Sequence, residues 1–421
     1  MRIACALFTV ALCAAGQTVA QWSAQGHALK AKGDAAGALA AFEKAAAADP
    51  KSAAIRDEIG FLLAVQGGRD QAVASFEHAL TLDPKLASAH FHLGVAVWLR
   101  DERERGLESL RTAVRLDPAN AEYRFRLGAM YQDLGRDKDA LVEFKAVVAR
   151  DAKRGDAWNS LGAAEQRLAN MTAARDAYQR AVNLSPRNID YRNSLGFALT
   201  ETGAADKALA EFRRILEMDP GNRAARVNIG YTLLQRGDYD KCLETFRAVL
   251  ADDPSNVVAR YNLGLALKQT DRIDEAKVEL REALRLEPNL AEAHYTLGIT
   301  AWQGGNFDET IDAMRNAARL RPDYAEAHYM LGTALKQKGE PDEAAAELRE
   351  AIRLNPNTPG PYNTLAQILQ GKGEREAAKK MFAQAAEVKK KLEMEQARRL
   401  GAMGGPASSP DLPRLRNATP R

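Results

Sequence analysis

The sequence predicts an all-α fold, a solenoid of stacked antiparallel helix pairs, and two ladders in the chain predict it. Prolines recur at Pro50, Pro84, Pro118, Pro186, Pro220, Pro254, Pro288, Pro322 and Pro356, each step being 34 residues except one double step where Ala152 replaces the missing member. Small residues run in step with them: Gly26, Gly60, Gly94, Gly128, Gly162, Gly196, Gly230, Gly264, Gly298 and Gly332, then Ala366. Self-similarity at one fixed period means a single supersecondary unit stacked on copies of itself. A chain of 421 residues would otherwise suggest two or three globular domains, but a stacked array buries its core between neighbours and needs no such split.

With the glycine at position 8 and the proline at position 32, eleven repeats start at Val19, Ala53, Ala87, Ala121, Gly155, Ile189, Arg223, Val257, Ala291, Ala325 and Pro359, covering residues 19–392. Each holds two apolar-periodic helices, here A and B, with a break near position 15 marked in most repeats by glycine, as at Gly33, Gly135 and Gly237. Small residues at positions 8 and 20, such as Gly196 and Ala208, let the two helices cross closely. Bulk at positions 24 and 28, such as Phe212 and Leu216, is expected to fill the gap to the next repeat. Proline at 32 ends helix B, and the residue before it is usually acidic, as at Asp49, Asp83 and Glu287, which favours a turn.

One joint reads as weak. Repeat four ends Arg150-Asp151-Ala152 without the proline, repeat five opens on Gly155, and Glu165 and Arg175 stand where neighbours carry Leu or Tyr. At the far end, residues 393–400 continue the last helix as a polar cap, and 401–421, with four prolines and three glycines, read as a disordered tail.

Residues 1–20 read as an export signal. Arg2 gives a positive start, Ile3 to Ala15 is apolar, and Thr18-Val19-Ala20 is an acceptable cleavage site, with a cut after Ala15 as the alternative. The apolar run is short for a membrane span, and no membrane insertion of the mature form is expected. Cys5 and Cys13 would leave with the signal. Cys242 would then be the one thiol, so no intrachain disulfide is possible. The formal charge of +3, with basic and acidic residues interleaved as in Arg103-Glu104-Arg105, makes no case for nucleic acid.

These features resemble the tetratricopeptide repeat family, whose pattern is W-x2-L-G-x2-Y, then A-x3-F, then P. Trp158-Asn159-Ser160-Leu161-Gly162 matches its opening, and Ala38/Phe42, Ala72/Phe76, Ala140/Phe144, Ala208/Phe212 and Ala378/Phe382 match its middle. The resemblance implies a right-handed superhelical solenoid whose A helices line a concave face through positions 2, 5, 9, 12 and 13. Position 5 then carries Tyr261, Tyr295 and Tyr329, and position 13 carries Gln235, Gln269, Gln303 and Gln337. Trp98 and Trp302 stand at position 12, with Phe197 and Tyr231 at position 9. A row of amides can pair with an extended backbone while tyrosines supply flat apolar area. The Lys/Asn clamp by which some family members bind acidic C-termini, Lys at position 5 and Asn at 9, is absent. A row of asparagines, as in the repeat arms of certain glycosyltransferases, is hinted at by Asn228 and Asn262 alone.

Catalysis finds little support. His90, His294 and His328 fall at position 4, where a packing role outweighs metal ligation, and Cys242 falls in the small slot at position 20. No nucleophile elbow, zinc-protease motif or phosphate loop appears, and no cofactor is called for. The expectation is an exported, non-enzymatic scaffold, periplasmic or extracellular in a bacterial envelope. It binds another protein or an extended peptide through its concave face, around Tyr261, Tyr295, Trp302, Tyr329 and the four glutamines. The alternative is a docking or regulatory subunit of a glycosyltransferase or secretion complex, with catalysis on another chain.

Overall fold

The computed structural model describes residues 19–403, with side chains through Arg398, and every regular element among them is an α-helix. The A helices are α1 (residues 19–31), α3 (Ala53–Val65), α5 (Ala87–Trp98), α7 (Ala121–Asp133), α9 (Gly155–Arg167), α11 (Ile189–Glu201), α13 (Arg223–Arg236), α15 (Val257–Gln269), α17 (Ala291–Gln303), α19 (Ala325–Lys338) and α21 (Pro359–Gly371). The B helices are α2 (Ala35–Ala48), α4 (Arg69–Leu82), α6 (Arg103–Leu116), α8 (Asp137–Arg150), α10 (Met171–Leu184), α12 (Ala205–Met218), α14 (Tyr239–Asp252), α16 (Ile273–Leu286), α18 (Phe307–Leu320), α20 (Pro341–Leu354) and α22 (Arg375–Met403). The chain divides into two compact units, the first ending at Thr202 and the second beginning at Gly203, inside the sixth repeat. Each unit is a stack of antiparallel helix pairs.

What draws most of these pairs together is the glycine at position 8; repeat eleven has Ala366 there. A Cβ placed on Gly26, Gly128, Gly162 or Gly230 would lie 2.6–2.7 Å from the ring of Phe42, Phe144, Tyr178 or Phe246. In each case the ring belongs to position 24 of the same repeat. The bulk at position 24 therefore does two things: it lies over the glycine of its own hairpin, and it fills the gap to the next repeat as its spacing suggests, Phe42 sharing a core with Ile55 and Ile59 and Phe76 stacking on His92 with ring centroids 5.5 Å apart. These side chains form the spine of the core: Phe42, Phe76, Leu110, Phe144 and Tyr178 in the first unit, and Phe246, Leu280, Met314 and Leu348 in the second, are all buried. The small residue at position 20 meets the same glycine from the other side. The Thr310 hydroxyl donates to the carbonyl of Gly298 at 3.3 Å, and Gly106 presses on the carbonyl of Gly94.

The two turns of the repeat are built by separate devices. Between A and B, position 15 adopts the left-handed conformation, which suits glycine; Gly33, Gly135, Gly237 and Gly339 have φ between 69° and 83°. Asp101, Ala169 and Asp271 take the same conformation with φ of 60–65° and carry the associated strain. Between repeats, the residue at position 31 is the C-cap of helix B, and its carboxylate accepts the backbone N–H two residues on, as at Asp49 to Lys51 (3.2 Å) and Asp83 to Lys85 (2.9 Å). Asn120, Asn188, Asn222 and Asn256 then cap the following A helix through their side chains.

A third device ties each A helix to the turn before it. The side chain at position 4 donates to the carbonyl of position 32, six residues earlier, at 2.7–3.2 Å. The donors are His90, Arg124, Trp158, Arg192, Arg226, Arg260, His294, His328 and Tyr362. Nine consecutive repeats share this bond through four residue types.

The joint between repeats four and five keeps its turn without the proline and pairs its charged residues. Asp151 still caps α8 and accepts from Lys153 at 3.0 Å, and Trp158 reaches the Ala152 carbonyl at 2.9 Å. Glu165 is buried but paired, by Lys145 at 3.1 Å and Asn170 at 2.9 Å. Arg154 binds Glu122 at 2.8 Å and lies over the Phe125 ring. Charge at apolar positions is met there by charge nearby, Glu165 by Lys145 of the preceding repeat and Arg175 by its neighbour Asp176 at 2.7 Å.

At the C-terminus α22 runs to Met403, taking in the first three residues of the expected tail. Gly401, Ala402 and Met403 still precede the first helix-breaking proline, Pro406. The rest of that segment, and the export signal through residue 18, lie outside the described residues. Val19 and Trp22 pack on the first core, around Phe42 and Ile59.

Within each unit the A helices approach one another: α3 lies against α5, α7 against α9 and α9 against α11 in the first, and α13, α15, α17, α19 and α21 follow in sequence in the second. Successive B helices make no comparable approach. In the second unit long ion pairs bridge them instead, Arg247–Glu275 at 3.7 Å, Arg281–Glu309 at 2.8 Å and Arg315–Glu343 at 2.7 Å. The A helices thus line the inner side of each stack and the B helices the outer side.

Gly230→Val should destabilise the second unit by about 1–3 kcal/mol, because the added carbons meet the Phe246 ring where nothing can yield cheaply. Chemical denaturation followed by circular dichroism measures it. A variant as stable as the parent would remove the glycine from its central place.

Candidate interaction surface

The inner side of α13, α15, α17 and α19 holds all eight residues singled out from the sequence, but not in equivalent settings. Tyr261 is 1% exposed, so it cannot be the surface anchor its spacing suggested. Its hydroxyl shares a hydrogen bond of 3.1 Å with Thr296 on α17, and burial pushes its pKa up to about 12. The side chain is a wedge between repeats eight and nine. Tyr295 stacks on Tyr324 with ring centroids 4.7 Å apart, and is half-buried. Arg321 lies over Tyr324 and pairs with Glu292 at 2.8 Å, which fixes that pair from the turn. Tyr329 is half-buried with its hydroxyl against Gly360 on α21. Position-5 tyrosines therefore serve first to seat one A helix on the next. Tyr295 and Tyr329 keep an open edge.

Trp302 is half-buried in the last turn of α17, its ring 5.0 Å from Phe307 at the start of α18. Beside it, Gln235, Gln303 and Gln337 are exposed and Gln269 half-buried. None of the four amides has a hydrogen-bond partner within the described residues. Position 12 holds two further residues that sequence reading passed over. Lys268 is half-buried on α15, and burial lowers its pKa below the ordinary lysine range. Lys336 on α19 donates to Gln367 on α21. A lysine on a helix reads as a solvated cation in sequence, and only the stack shows one partly enclosed. The local chemistry is a line of free amides beside an indole and two ammonium groups, suited to hydrogen bonding and to flat apolar contact.

The residues weighed for catalysis have structural settings. Cys242 is buried in the crossing of α13 and α14, and desolvation pushes its thiol up to about 12. Among the described residues no group of three or more His, Cys, Asp or Glu could hold a metal ion, and no helix is long and apolar enough to cross a membrane. A cleft of about 460 Å³ opens on the outer side between α14, α15 and α16, but its charges are already paired, Arg260 with Glu279 at 2.8 Å and Arg247 with Glu275.

Three tetratricopeptide repeat models match the sequence, at residues 22–52, 131–189, 160–223, 199–251, 233–299, 295–359 and 360–392. The chain belongs to the tetratricopeptide repeat family and is a protein-interaction scaffold of that class. No curated protein matches it. Among solved structures it is similar to MamA, at 30% identity over 39% of this chain and 97% of that one, with a TM-score of 0.39. It is also similar to yeast Tom70, at 13% identity over 92% of this chain and 96% of that one, with a TM-score of 0.48. A third likeness is to YrrB, described as a TPR protein with an unusual peptide-binding site, at 22% identity over 44% of this chain and 96% of that one, with a TM-score of 0.36.

Two histidines in the same slot should titrate in opposite directions. His328 Nε2 donates to the Pro322 carbonyl while Nδ1 lies 2.6 Å from Glu347, and only the imidazolium can donate to both. Its pKa is raised by that carboxylate, so its stabilising charge is complete below the ordinary histidine value and fades as pH rises through the raised one. His294 has only the Pro288 carbonyl, and burial lowers its pKa, so its contribution fades as pH falls. NMR titration should show the His328 midpoint falling in Glu347→Gln and that of His294 unmoved. No change at His328 would contradict the assigned pairing.

Proposed function

We propose that this chain is an exported, non-enzymatic scaffold, periplasmic or extracellular in a bacterial envelope, that holds another protein or an extended peptide along the inner side of repeats seven to ten. The observation that carries the reading is the row of Gln235, Gln269, Gln303 and Gln337, four amides without partners on the side where A helices converge, next to Trp302. An extended backbone offers alternating N–H and C=O groups to such a row, while Trp302 and the open edges of Tyr295 and Tyr329 supply apolar contact. Tyr261 has no part in it. On the outer side, ion pairs such as Arg281–Glu309 and Arg315–Glu343 bridge successive B helices.

Affinity capture of the protein from its own compartment, with cross-links mapped, supplies the partner. Trp302→Ala should then weaken binding more than tenfold, about 2 kcal/mol, with helicity nearly unchanged. Gln269→Ala should cost about 0.5–1.5 kcal/mol, and Glu282→Ala on the outer side almost nothing. Equal binding by Trp302→Ala and Glu282→Ala would move the site off the inner side.

Export rests on the charged start, apolar run and small-residue site of residues 1–20. N-terminal sequencing of the secreted protein should begin at Gln21, or at Gly16 for the alternative cut. A mature chain that starts at Met1 would exclude export by this route.

A further inference from the structure

We infer that the inner side of repeats eight to ten takes an acidic partner segment, with one carboxylate seated at Lys268, a second at Lys336, and an apolar residue between them on Trp302. This rests on the inner-side reading above and adds the chemistry of the ligand.

The chain itself shows what a lysine at position 12 does when an acid is supplied. In the first repeat Lys30 occupies this slot, and its ammonium binds Glu58 at position 6 of the next repeat, 2.6 Å away. Lys268 stands in the same slot of repeat eight. Position 6 of the following repeat is there Thr296, which is buried and committed to Tyr261. No carboxylate pairs with Lys268 among the described residues, and no hydrogen bond satisfies it. Lys336 likewise faces a threonine, Thr364, at position 6 of the next repeat, and has only the neutral amide of Gln367. Other cations at this edge, at position 14, are already neutralised: Arg236 by Asp206 at 2.7 Å and Lys338 by Asp308 at 2.8 Å.

A partly enclosed ammonium without a counter-ion is costly, and an incoming carboxylate relieves that cost. Two such cations flank one indole, Lys268 one repeat before Trp302 and Lys336 one repeat after it. Neighbouring A helices lie about 9 Å apart, so Lys268 and Lys336 are separated by about 18 Å. An extended chain rises about 3.3 Å per residue, which sets the two acids about five or six residues apart. The free amides of Gln269, Gln303 and Gln337 run beside that path and take its backbone.

The test uses the full mature chain and two fluorescein-labelled peptides. One carries two glutamates at that spacing around a leucine; the other has glutamines in their place. Fluorescence anisotropy should show the acidic peptide binding at least about tenfold tighter, with an affinity that falls as salt is raised. Lys268→Gln and Lys336→Gln should each remove most of that preference, with circular dichroism unchanged. Acidic binding no tighter than neutral binding, absence of both included, overturns the proposal, as does an undiminished preference in Lys268→Gln. If Trp302→Ala weakens the captured partner while both lysine variants bind it normally, the acidic ligand fails and the inner-side reading stands. If Trp302→Ala has no effect on that partner, the inner-side reading fails and the acidic ligand with it.

Discussion

The approach of position 24 to the glycine at position 8 is the constraint on which the rest of the structure depends. With the ring of Phe246 resting where a Cβ of Gly230 would be, α13 and α14 are drawn together until backbones nearly touch. That distance dictates the other choices in the repeat. Position 20 must be small, hence Ala38, Gly106, Thr310 and the buried thiol of Cys242. The turn between the helices must be tight, hence the left-handed residue at position 15. Where Met314 or Leu348 replaces the aromatic ring, the contact persists with a different side chain over the same glycine. In repeat eleven Ala366 takes the glycine's place and is itself buried.

Much of this was legible in the sequence because periodicity reports on shared geometry. Two ladders fix the period, the register and the number of helices. Spacing also places Tyr261, Tyr295 and Tyr329 on one side of their helices, but it gives direction without depth. How far a side chain emerges depends on what the next repeat sets against it. Thr296 closes over Tyr261, whereas Tyr295 and Tyr329 keep an edge. Lys268 escaped notice for the converse reason, since only the packing of neighbours encloses it. At the joint by Ala152, a list of missing residues does not reveal compensation. Asp151 forms the turn without proline, and Lys145 and Asn170 meet Glu165.

Inner and outer sides of the stack differ in how their polar groups are committed. Outside, arginines and glutamates of successive B helices answer one another, as in Arg281–Glu309 and Arg315–Glu343. Exposed pairs of this kind contribute little stability each. Inside, at the C-terminal ends of α15, α17 and α19, amides and an ammonium face outward with no such answer. The proposed recognition rests on these unanswered groups, which run through three consecutive repeats.

The bond from position 4 to the preceding turn has a consequence for how such a chain ages. The slot asks for one hydrogen-bond donor at a given reach, and indole, imidazole, guanidinium and phenol all supply it. Codons there can wander among unlike amino acids while the architecture stands still. Ancestry between copies is therefore masked wherever residue identity is the measure, and the tryptophan of the family pattern survives at Trp22 and Trp158 alone. A histidine or arginine at this point is first a donor to the carbonyl of that turn. It is a synonym, and a comparison of repeats that scores donors by reach would recover a kinship that an alphabet of letters discards.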